Sequence, residues 1–275
     1  MRVGTVCSYI SANSFISLHV MSQAGAPLSS AVPQTRKVGI LGGMGPAAGA
    51  DFVRLFVQAC TEQLRRRGAA VVDQAFPEHW LAQIPAPDRT SAIAAPERPE
   101  ISPLDAMSHA VQQLHSLDVR IVAIACNTAH YWHQPLQQRH SQVRILHIIN
   151  ETIAHLQQAG VREVLLMATQ GTHRSRLYDS ALEAAGIAVH TPLPHEREQV
   201  MQGIFEGVKR GRLDVANQYF GPVVQALRQR HAADTLVMAC TEIPLALPQA
   251  SQAQGLKLID PAWVLAQALA AQAYV

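Results

Sequence analysis

Two cysteines lie 114 positions apart in closely similar sequence contexts. Cys126 occurs in IVAIACNTAH (121–130), and Cys240 occurs in TLVMACTEIP (235–244). Each follows a short apolar run and an alanine, and each precedes a hydroxyl or amide residue. Such apolar runs predict buried strands, and open α/β sheets bind their ligands at the carboxyl ends of strands. The pattern therefore predicts two thiols that face one small molecule from opposite sides.

Two opposed thiols have a specific chemistry available to them. One thiolate can remove the α-proton of a small amino acid while the other thiol returns a proton to the opposite face. The reverse reaction swaps the two roles, so a racemase needs two equivalent groups, whereas a hydrolase needs a nucleophile and a distinct base. Helix N-termini after each cysteine would favour the thiolate. Three neighbours would then hold the substrate's α-carboxylate, namely Asn127, Thr128 and Thr241.

Other interpretations of the same residues stay open. A cysteine after an apolar strand is often a small buried hydrophobe, and Asn or Thr at these positions is often a helix cap. Cys126, His130 and His133 suggest zinc, but their spacing matches no standard zinc pattern. A disulfide would need an oxidising compartment, which no feature of the sequence indicates. The GGMGP turn lacks the order G-x-G-x-x-G, and the chain has no Walker A lysine.

The composition favours an α/β protein that is not built for nucleic acid or membrane. The chain has 275 residues, 48% hydrophobic and 5% aromatic, with a formal net charge of +2. Its longest basic run, 65–67, is typical of a solvated helix end. The sequence contains no run of eighteen apolar residues, so it predicts no membrane-spanning helix. We expect a cytoplasmic protein. Residues 1–36 lack periodicity and predict a disordered extension, with a signal peptide or a true start at Met21 as alternatives.

The order strand, turn, helix and then strand with cysteine occurs twice. VGILGG (38–43) precedes the first cysteine strand, and VLLMATQGT (164–172) precedes the second. Alternating strands and helices predict parallel sheets covered on both faces. We expect two similar α/β domains related by pseudo-two-fold symmetry, with the active site in the cleft between them. Their predicted bounds are 37–148 plus 253–275 for the first domain and 149–252 for the second. A long loop is predicted for 74–103.

Six segments of the chain resemble the aspartate/glutamate racemase superfamily, and in particular its amino-acid racemase branch, which includes aspartate racemases. These segments are VGILGGMGP, PDRTSAI, ACNTAH, ATQGT, IFEGVKRG and ACTEIPL. The resemblance covers Lys37 to the C-terminus. It implies a homodimer and catalysis by Cys126 and Cys240 with no cofactor, neither pyridoxal phosphate nor metal. It also implies that the chain crosses between domains near Ile149 and returns near Gln252.

The resemblance assigns further residues to the substrate. Asn127, Thr128 and Thr241 match positions around the α-carboxylate and ammonium, and Met44 matches the substrate-facing turn. Arg89, beside Thr90 in the PDRT motif, and Lys209 match positions that meet the side-chain carboxylate in aspartate racemases. The extension and the segment 73–83 depart from the family pattern.

The sequence therefore favours racemisation of aspartate or glutamate, with an amino acid as the partner and no nucleic acid or membrane. Three alternatives remain: a broad-specificity racemase of neutral amino acids, an enzyme like hydantoin racemase or maleate isomerase, and an amino-acid-binding protein without turnover.

Overall fold

The computed structural model describes residues 32–275. Most of the predicted N-terminal extension lies outside the described residues, but its last residues do not. Arg36 N donates to Ala273 O at 2.7 Å, and Val275 N donates to Gln34 O at 3.1 Å. The predicted boundary after residue 36 is therefore wrong for 34–36, because backbone hydrogen bonds tie this segment to the end of the chain.

Two parallel four-stranded sheets form the architecture of the described residues. The first has the order β2-β1-β3-β4. Its strands are β1 (Val38–Gly42), β2 (His79–Gln83), β3 (Ile121–Ile124) and β4 (Arg144–Ile145). The helices of this half are α1 (Pro46–Arg66), α2 (Arg89–Ala94), α3 (Leu104–Ser116) and α4 (His133–Arg139).

The second sheet repeats this strand order as β6-β5-β7-β8. Its strands are β5 (Glu163–Ala168), β6 (Ala188–His190), β7 (Thr235–Ala239) and β8 (Lys257–Ile259). The remaining helices are α5 (Ile148–Gln158), α6 (Gln170–Arg174), α7 (Leu177–Ala184), α8 (Pro194–Gln202), α9 (Leu213–Arg230), α10 (Ile243–Ala246) and α11 (Pro261–Ala273). The predicted α/β class with two similar parallel sheets is confirmed. The pseudo-two-fold relation between them stays a prediction.

The central strands are buried along their whole length because helices cover both of their faces. Every residue of β1, β3 and β7 is buried, as expected for parallel strands inside an α/β domain. One hydrophobic core contains residues of both sheets together with α1, α5 and α11. Among its side chains, Phe52 and Phe56 of α1 and Leu265 and Leu269 of α11 are fully buried. This shared core holds the two sheets against each other.

The predicted loop at 74–103 contains regular structure. β2 pairs in parallel with β1, and α2 begins at Arg89. β2 is an edge strand with Trp80 and Leu81 exposed, so HWLAQ has neither the apolar run nor the alternation by which a strand is recognised. The three-residue edge strand β6 is likewise too short to show a recognisable strand pattern in the sequence.

The predicted second domain boundary does not fit the strand pairing. β8 pairs with β7 over Thr235–Val237 and Lys257–Ile259, so the chain remains in the second sheet through Ile259. Only α11 packs back onto α1 and α5. The predicted return to the first domain at residue 253 is therefore too early, and the domain division otherwise stays a prediction.

Length and hydropathy decide whether a helix of the described residues can span a membrane. Among residues 32–275, no helix combines the length and the apolar character that crossing a bilayer requires.

Buried histidines make the stability of this fold sensitive to acid. Burial lowers the pKa of His130 to about 3, that of His147 to about 4 and that of His173 to about 3. Both ring nitrogens of His173 are buried without a hydrogen-bond partner among the described residues. Below the ordinary histidine pKa of about 6.5, the unfolded chain binds protons that the native protein excludes, so stability is lost as the pH falls.

Replacing His173 with Leu should flatten this dependence. The slope of unfolding free energy against pH between pH 6 and 4 should fall by about 1.2 kcal/mol per pH unit, slightly less than the roughly 1.4 kcal/mol that one full proton contributes. Urea denaturation across that range measures the slope. The matched control is His109→Leu, at an exposed site, which should leave the slope unchanged. Equal slopes for His173→Leu and the unaltered protein would show that His173 does not contribute.

Candidate active site

The two cysteines lie at corresponding ends of the two sheets and line one cavity. Cys240 directly follows β7, and Cys126 follows β3 by two residues. Each is 5% exposed, and both line a cavity of about 30 Å³. That volume has room for about one or two waters and is smaller than an amino acid. Binding of any substrate at the thiols therefore requires the walls of the cavity to move apart.

Every residue that the sequence assigns to the site lines this cavity. The set comprises Met44, Arg89, Thr90, Cys126, Asn127, Thr128, Lys209, Cys240 and Thr241. The sequence reasoning did not assign a role to six other lining residues, which are Asp88, Thr169, Met201, Ile204, Phe205 and Glu242. Asp88, Thr169 and Glu242 lie inside the PDRTSAI, ATQGT and ACTEIPL motifs, which marks them as candidates. Ile204 and Phe205 likewise lie inside the IFEGVKRG motif, whereas Met201 lies in none of the motifs.

Helix α2 places a buried guanidinium beside Cys126. Asp88 caps the helix, because its Oδ1 accepts from Ser91 N at 2.8 Å, and Arg89 is the first helical residue. Arg89 Nη2 donates to Met44 O at 2.9 Å. Nη1 donates to Pro87 O at 3.0 Å.

Arg89 also has a donor available to a ligand. Its Nε is buried and has no hydrogen-bond partner among the described residues. The positive charge of Arg89 also lowers the pKa of Cys126, but burial outweighs it, so the pKa of this thiol is raised overall. Arg89 can therefore bind an anionic ligand and favour the thiolate of Cys126. Burial of the site opposes the charge of the ligand and that of the thiolate alike.

A carboxylate takes the corresponding place beside Cys240. Cys240 Sγ donates to Glu242 Oε2 at 3.1 Å, and Thr241 Oγ1 donates to the same oxygen at 3.2 Å. Gly45 N, in the turn after β1, donates to Glu242 Oε1 at 3.3 Å. Burial and the charge of Glu242 raise the pKa of Cys240 well above its ordinary value.

Burial of each sulfur outweighs the help that the backbone N–H groups after each cysteine give to its thiolate. Cys126 precedes a 3-10 turn, Thr128–Trp132, and Cys240 precedes the four residues of α10. Burial raises the pKa of each cysteine overall, while a backbone hydrogen bond from Ala129 lowers that of Cys126 and one from Glu242 lowers that of Cys240.

Asn127 has donors available for a ligand oxygen. Its Oδ1 accepts from Tyr178 Oη at 2.6 Å, which fixes the orientation of the amide. Its Nδ2 is buried without a partner among the described residues. The orientation that Tyr178 imposes is the one in which the amide can donate to a carboxylate, in agreement with the predicted role of Asn127.

Thr128 belongs to a cluster of hydroxyls that joins the two halves of the site. Its Oγ1 lies 2.9 Å from Thr169 Oγ1 and 3.0 Å from Thr172 Oγ1. Thr128 follows β3, whereas the other two follow β5. At Gly171 a Cβ would lie only 3.0 Å from Thr90 Cα, so this close approach requires glycine. The hydroxyl of Thr128 therefore links the sheets, and a ligand would compete for it.

Lys209 lies in the irregular segment that follows the end of α8. A π-helical segment, Gly203–Gly207, follows α8 and is followed by a 3-10 turn. A Cβ at Gly207 would lie 2.5 Å from Ala216 Cα of α9, so glycine permits this packing. Lys209 is exposed, and its Nζ lies 4.2 Å from the ring centroid of Phe205.

A second and larger cavity adjoins the first. Its volume is about 400 Å³. The two cavities share four charged lining residues, which are Asp88, Arg89, Lys209 and Glu242. The larger cavity can hold a molecule of amino-acid size, so it is the natural approach to the two thiols.

The histidines near Cys126 bond to the backbone. His130 Nδ1 lies 2.9 Å from Cys126 O, and His133 Nε2 lies 2.8 Å from Ile145 O. Within residues 32–275, no group of three or more His, Cys, Asp or Glu side chains is arranged to hold a metal ion. These contacts give His130 and His133 a structural role.

Comparison with known proteins identifies relatives along most of the chain. The sequence model of the Asp/Glu/Hydantoin racemase family matches residues 41–269. The broad specificity amino-acid racemase RacX of Bacillus subtilis (strain 168) is 25% identical over 206 residues, covering 75% of this chain and 85% of RacX.

Solved structures agree with this match. The aspartate racemase of Picrophilus torridus superposes with a TM-score of 0.71 at 28% identity, over 87% of this chain and 96% of that protein. PH1733, an aspartate racemase homologue from Pyrococcus horikoshii OT3, gives a TM-score of 0.64 at 24% identity, over 85% and 97% of the two chains. The second likeness concerns the fold alone.

Replacing Tyr178 with Phe should destabilise the protein. The change leaves Asn127 Oδ1 buried without its partner, which costs about 1–3 kcal/mol. Urea denaturation at neutral pH measures the loss. Tyr274→Phe is the matched control, because the Tyr274 hydroxyl is buried without a hydrogen-bond partner among the described residues and its removal should cost less. Equal effects of the two substitutions would contradict the role given to Tyr178.

Proposed function

The chain belongs to the Asp/Glu/hydantoin racemase family, and from that premise we propose that it racemises a small acidic amino acid with Cys126 and Cys240 as the two proton-transfer groups. The observation that carries the proposal is the meeting of both thiols in one cavity, each at the carboxyl end of an equivalent strand. No cofactor enters the proposed reaction. A homodimer remains a prediction that rests on the resemblance, and a cytoplasmic location remains a prediction from the sequence.

The proposed reaction moves two protons. The thiolate of one cysteine takes the α-proton, the electron pair stays on the α-carbon and its carboxylate, and the opposite thiol delivers its proton to the other face. The other enantiomer reacts with the roles reversed. Donors such as Asn127 Nδ2, which has no partner among the described residues, would stabilise the charge that develops on the α-carboxylate.

The active form of the pair has one thiolate and one thiol. Because burial raises the pKa of both cysteines, the thiolate is scarce at neutral pH, and activity should rise as the pH becomes alkaline. It should fall again when the second thiol ionises, because the acid is then lost.

Two cations support an acidic substrate. Arg89 and Lys209 line both cavities, and the side-chain carboxylate of an acidic amino acid would meet both of them. A guanidinium binds a carboxylate through directed hydrogen bonds, whereas an ammonium adds a point charge. Aspartate is slightly favoured over glutamate, because the matching positions belong to aspartate racemases.

A broad-specificity racemase of neutral amino acids is the second candidate. Met201, Ile204 and Phe205 line the cavity and offer an apolar surface to an uncharged side chain. RacX, whose name describes broad specificity, is among the relatives of this chain. A screen of both enantiomers of the common amino acids by chiral chromatography separates the two candidates.

Replacing either Cys126 or Cys240 with Ala should abolish racemisation, because each thiol is needed on its own face of the α-carbon. Chiral chromatography of the reaction with aspartate and glutamate measures the loss. Cys60→Ala is the matched control, since Cys60 is a buried free cysteine outside the cavity, and it should retain activity. Turnover near the unaltered level in Cys240→Ala would overturn the two-thiol proposal.

Replacing Lys209 with Met should reduce kcat/KM for aspartate and glutamate by about tenfold, or roughly 1.4 kcal/mol. An exposed lysine is screened by water, so a larger effect is not expected. Arg210→Met is the control, because this neighbouring cation pairs with Glu206 at 2.8 Å. Unchanged turnover of acidic substrates in Lys209→Met, or a preference of the unaltered protein for neutral amino acids, would favour the second candidate.

A further inference from the structure

Glu242 is a buried carboxylate that the two-thiol reaction does not itself require. It is 5% exposed, and both of its oxygens are occupied. Oε2 accepts from Cys240 Sγ and Thr241 Oγ1, while Oε1 accepts from Gly45 N across the cavity. A buried carboxylate is costly unless hydrogen bonds compensate it, and here a thiol is one of the three donors.

We infer that Glu242 is a positioning residue for Cys240: its carboxylate orients the thiol, keeps it in the protonated acid form, and leaves Cys126 as the more readily ionised of the two cysteines. This assignment rests on the proposed racemase function, and it adds an asymmetry to a pair of chemically identical groups. Because of this asymmetry, the enantiomer whose α-proton faces Cys126 is the one that the enzyme deprotonates more readily.

The hydrogen-bond geometry supports the direction of this asymmetry. A carboxylate can only accept, so the contact of 3.1 Å between Sγ and Oε2 is favourable when the sulfur carries its proton. Loss of that proton would place a thiolate against a carboxylate with no hydrogen between them. At Cys126 the neighbouring charge has the opposite sign, since Arg89 is the cation there.

The other charged groups around the cavity do not reverse this bias. Cys240 shares its lining with Cys126, Asp88, Arg89, Lys209 and Glu242. Glu242 is the group whose charge acts most strongly on Cys240, whereas Arg89 acts on Cys126 ahead of any other charge. Within the described residues, the lining includes no histidine. The Glu242 carboxylate is therefore the titratable group in contact with the Cys240 thiol that can influence its ionisation.

The experiment follows the alkylation of each cysteine by iodoacetamide as a function of pH, with peptide mass spectrometry to separate the sites. Only the thiolate reacts, so the rates report ionisation without any substrate. In the unaltered protein, Cys126 should reach half of its maximal rate at a lower pH than Cys240. Cys240 reacting at the lower pH would overturn the inference, whatever the variants do.

Glu242→Gln keeps the shape of the side chain and removes its charge. It should speed alkylation of Cys240 at pH 8 about tenfold, the effect of one pKa unit, while changing Cys126 less. Glu242→Asp should restore most of the slow reaction. An unchanged Cys240 rate in Glu242→Gln, or an equal acceleration of both cysteines, would contradict the inference and point to a purely structural bridge to Gly45.

Turnover separates this inference from the proposed function. If the unaltered protein racemises no amino acid, the proposed function fails, while the order of alkylation still decides the role of Glu242. If racemisation occurs and the alkylation order is reversed, the function stands and the inference fails.

Discussion

The burial of two thiols at the ends of neighbouring sheets is the constraint on which the rest of the site depends. Proton abstraction needs a thiolate, but removing a sulfur from water raises its pKa, and this is the largest influence on both Cys126 and Cys240. Backbone N–H groups after each cysteine offset only part of this cost. The protein surrounds the sulfurs with opposite charges, Arg89 on one side and Glu242 on the other, so that one thiol is more readily ionised than its counterpart.

The fold explains how two distant segments reach the same cavity. Parallel strands place their carboxyl ends at one edge of a sheet, and the core shared by α1, α5 and α11 holds the two sheets together. Polar links then connect the halves at the site, through the hydroxyls of Thr128, Thr169 and Thr172 and through Glu242 and Gly45. The inner cavity of about 30 Å³ is smaller than an amino acid, so substrate entry from the larger cavity must widen it.

Sequence patterns were sufficient where local chemistry decides the structure. Continuous apolar runs identified β1, β3, β5 and β7, and the repeated cysteine motif identified the two thiols that share the cavity. They failed where tertiary contacts decide. β2 is an exposed edge strand, 34–36 are held by the C-terminus, and β8 follows β7 instead of returning with α11. The contact of Glu242 with Cys240 and Gly45 likewise depends on distant segments meeting, and the thiol pKa depends on burial that no motif records.

The central claim is that each face of the α-carbon is served by its own thiol, and the initial fate of solvent deuterium tests it most directly. The unaltered protein would be given one enantiomer of aspartate in deuterated water, and both enantiomers would be isolated after a few per cent conversion. The account predicts deuterium at the α-position of the product enantiomer and almost none in the recovered substrate, because the proton removed by one cysteine is not the one delivered by the other. Equal labelling of substrate and product from the start, or an unlabelled product, would show that a single group serves both faces and would contradict the account.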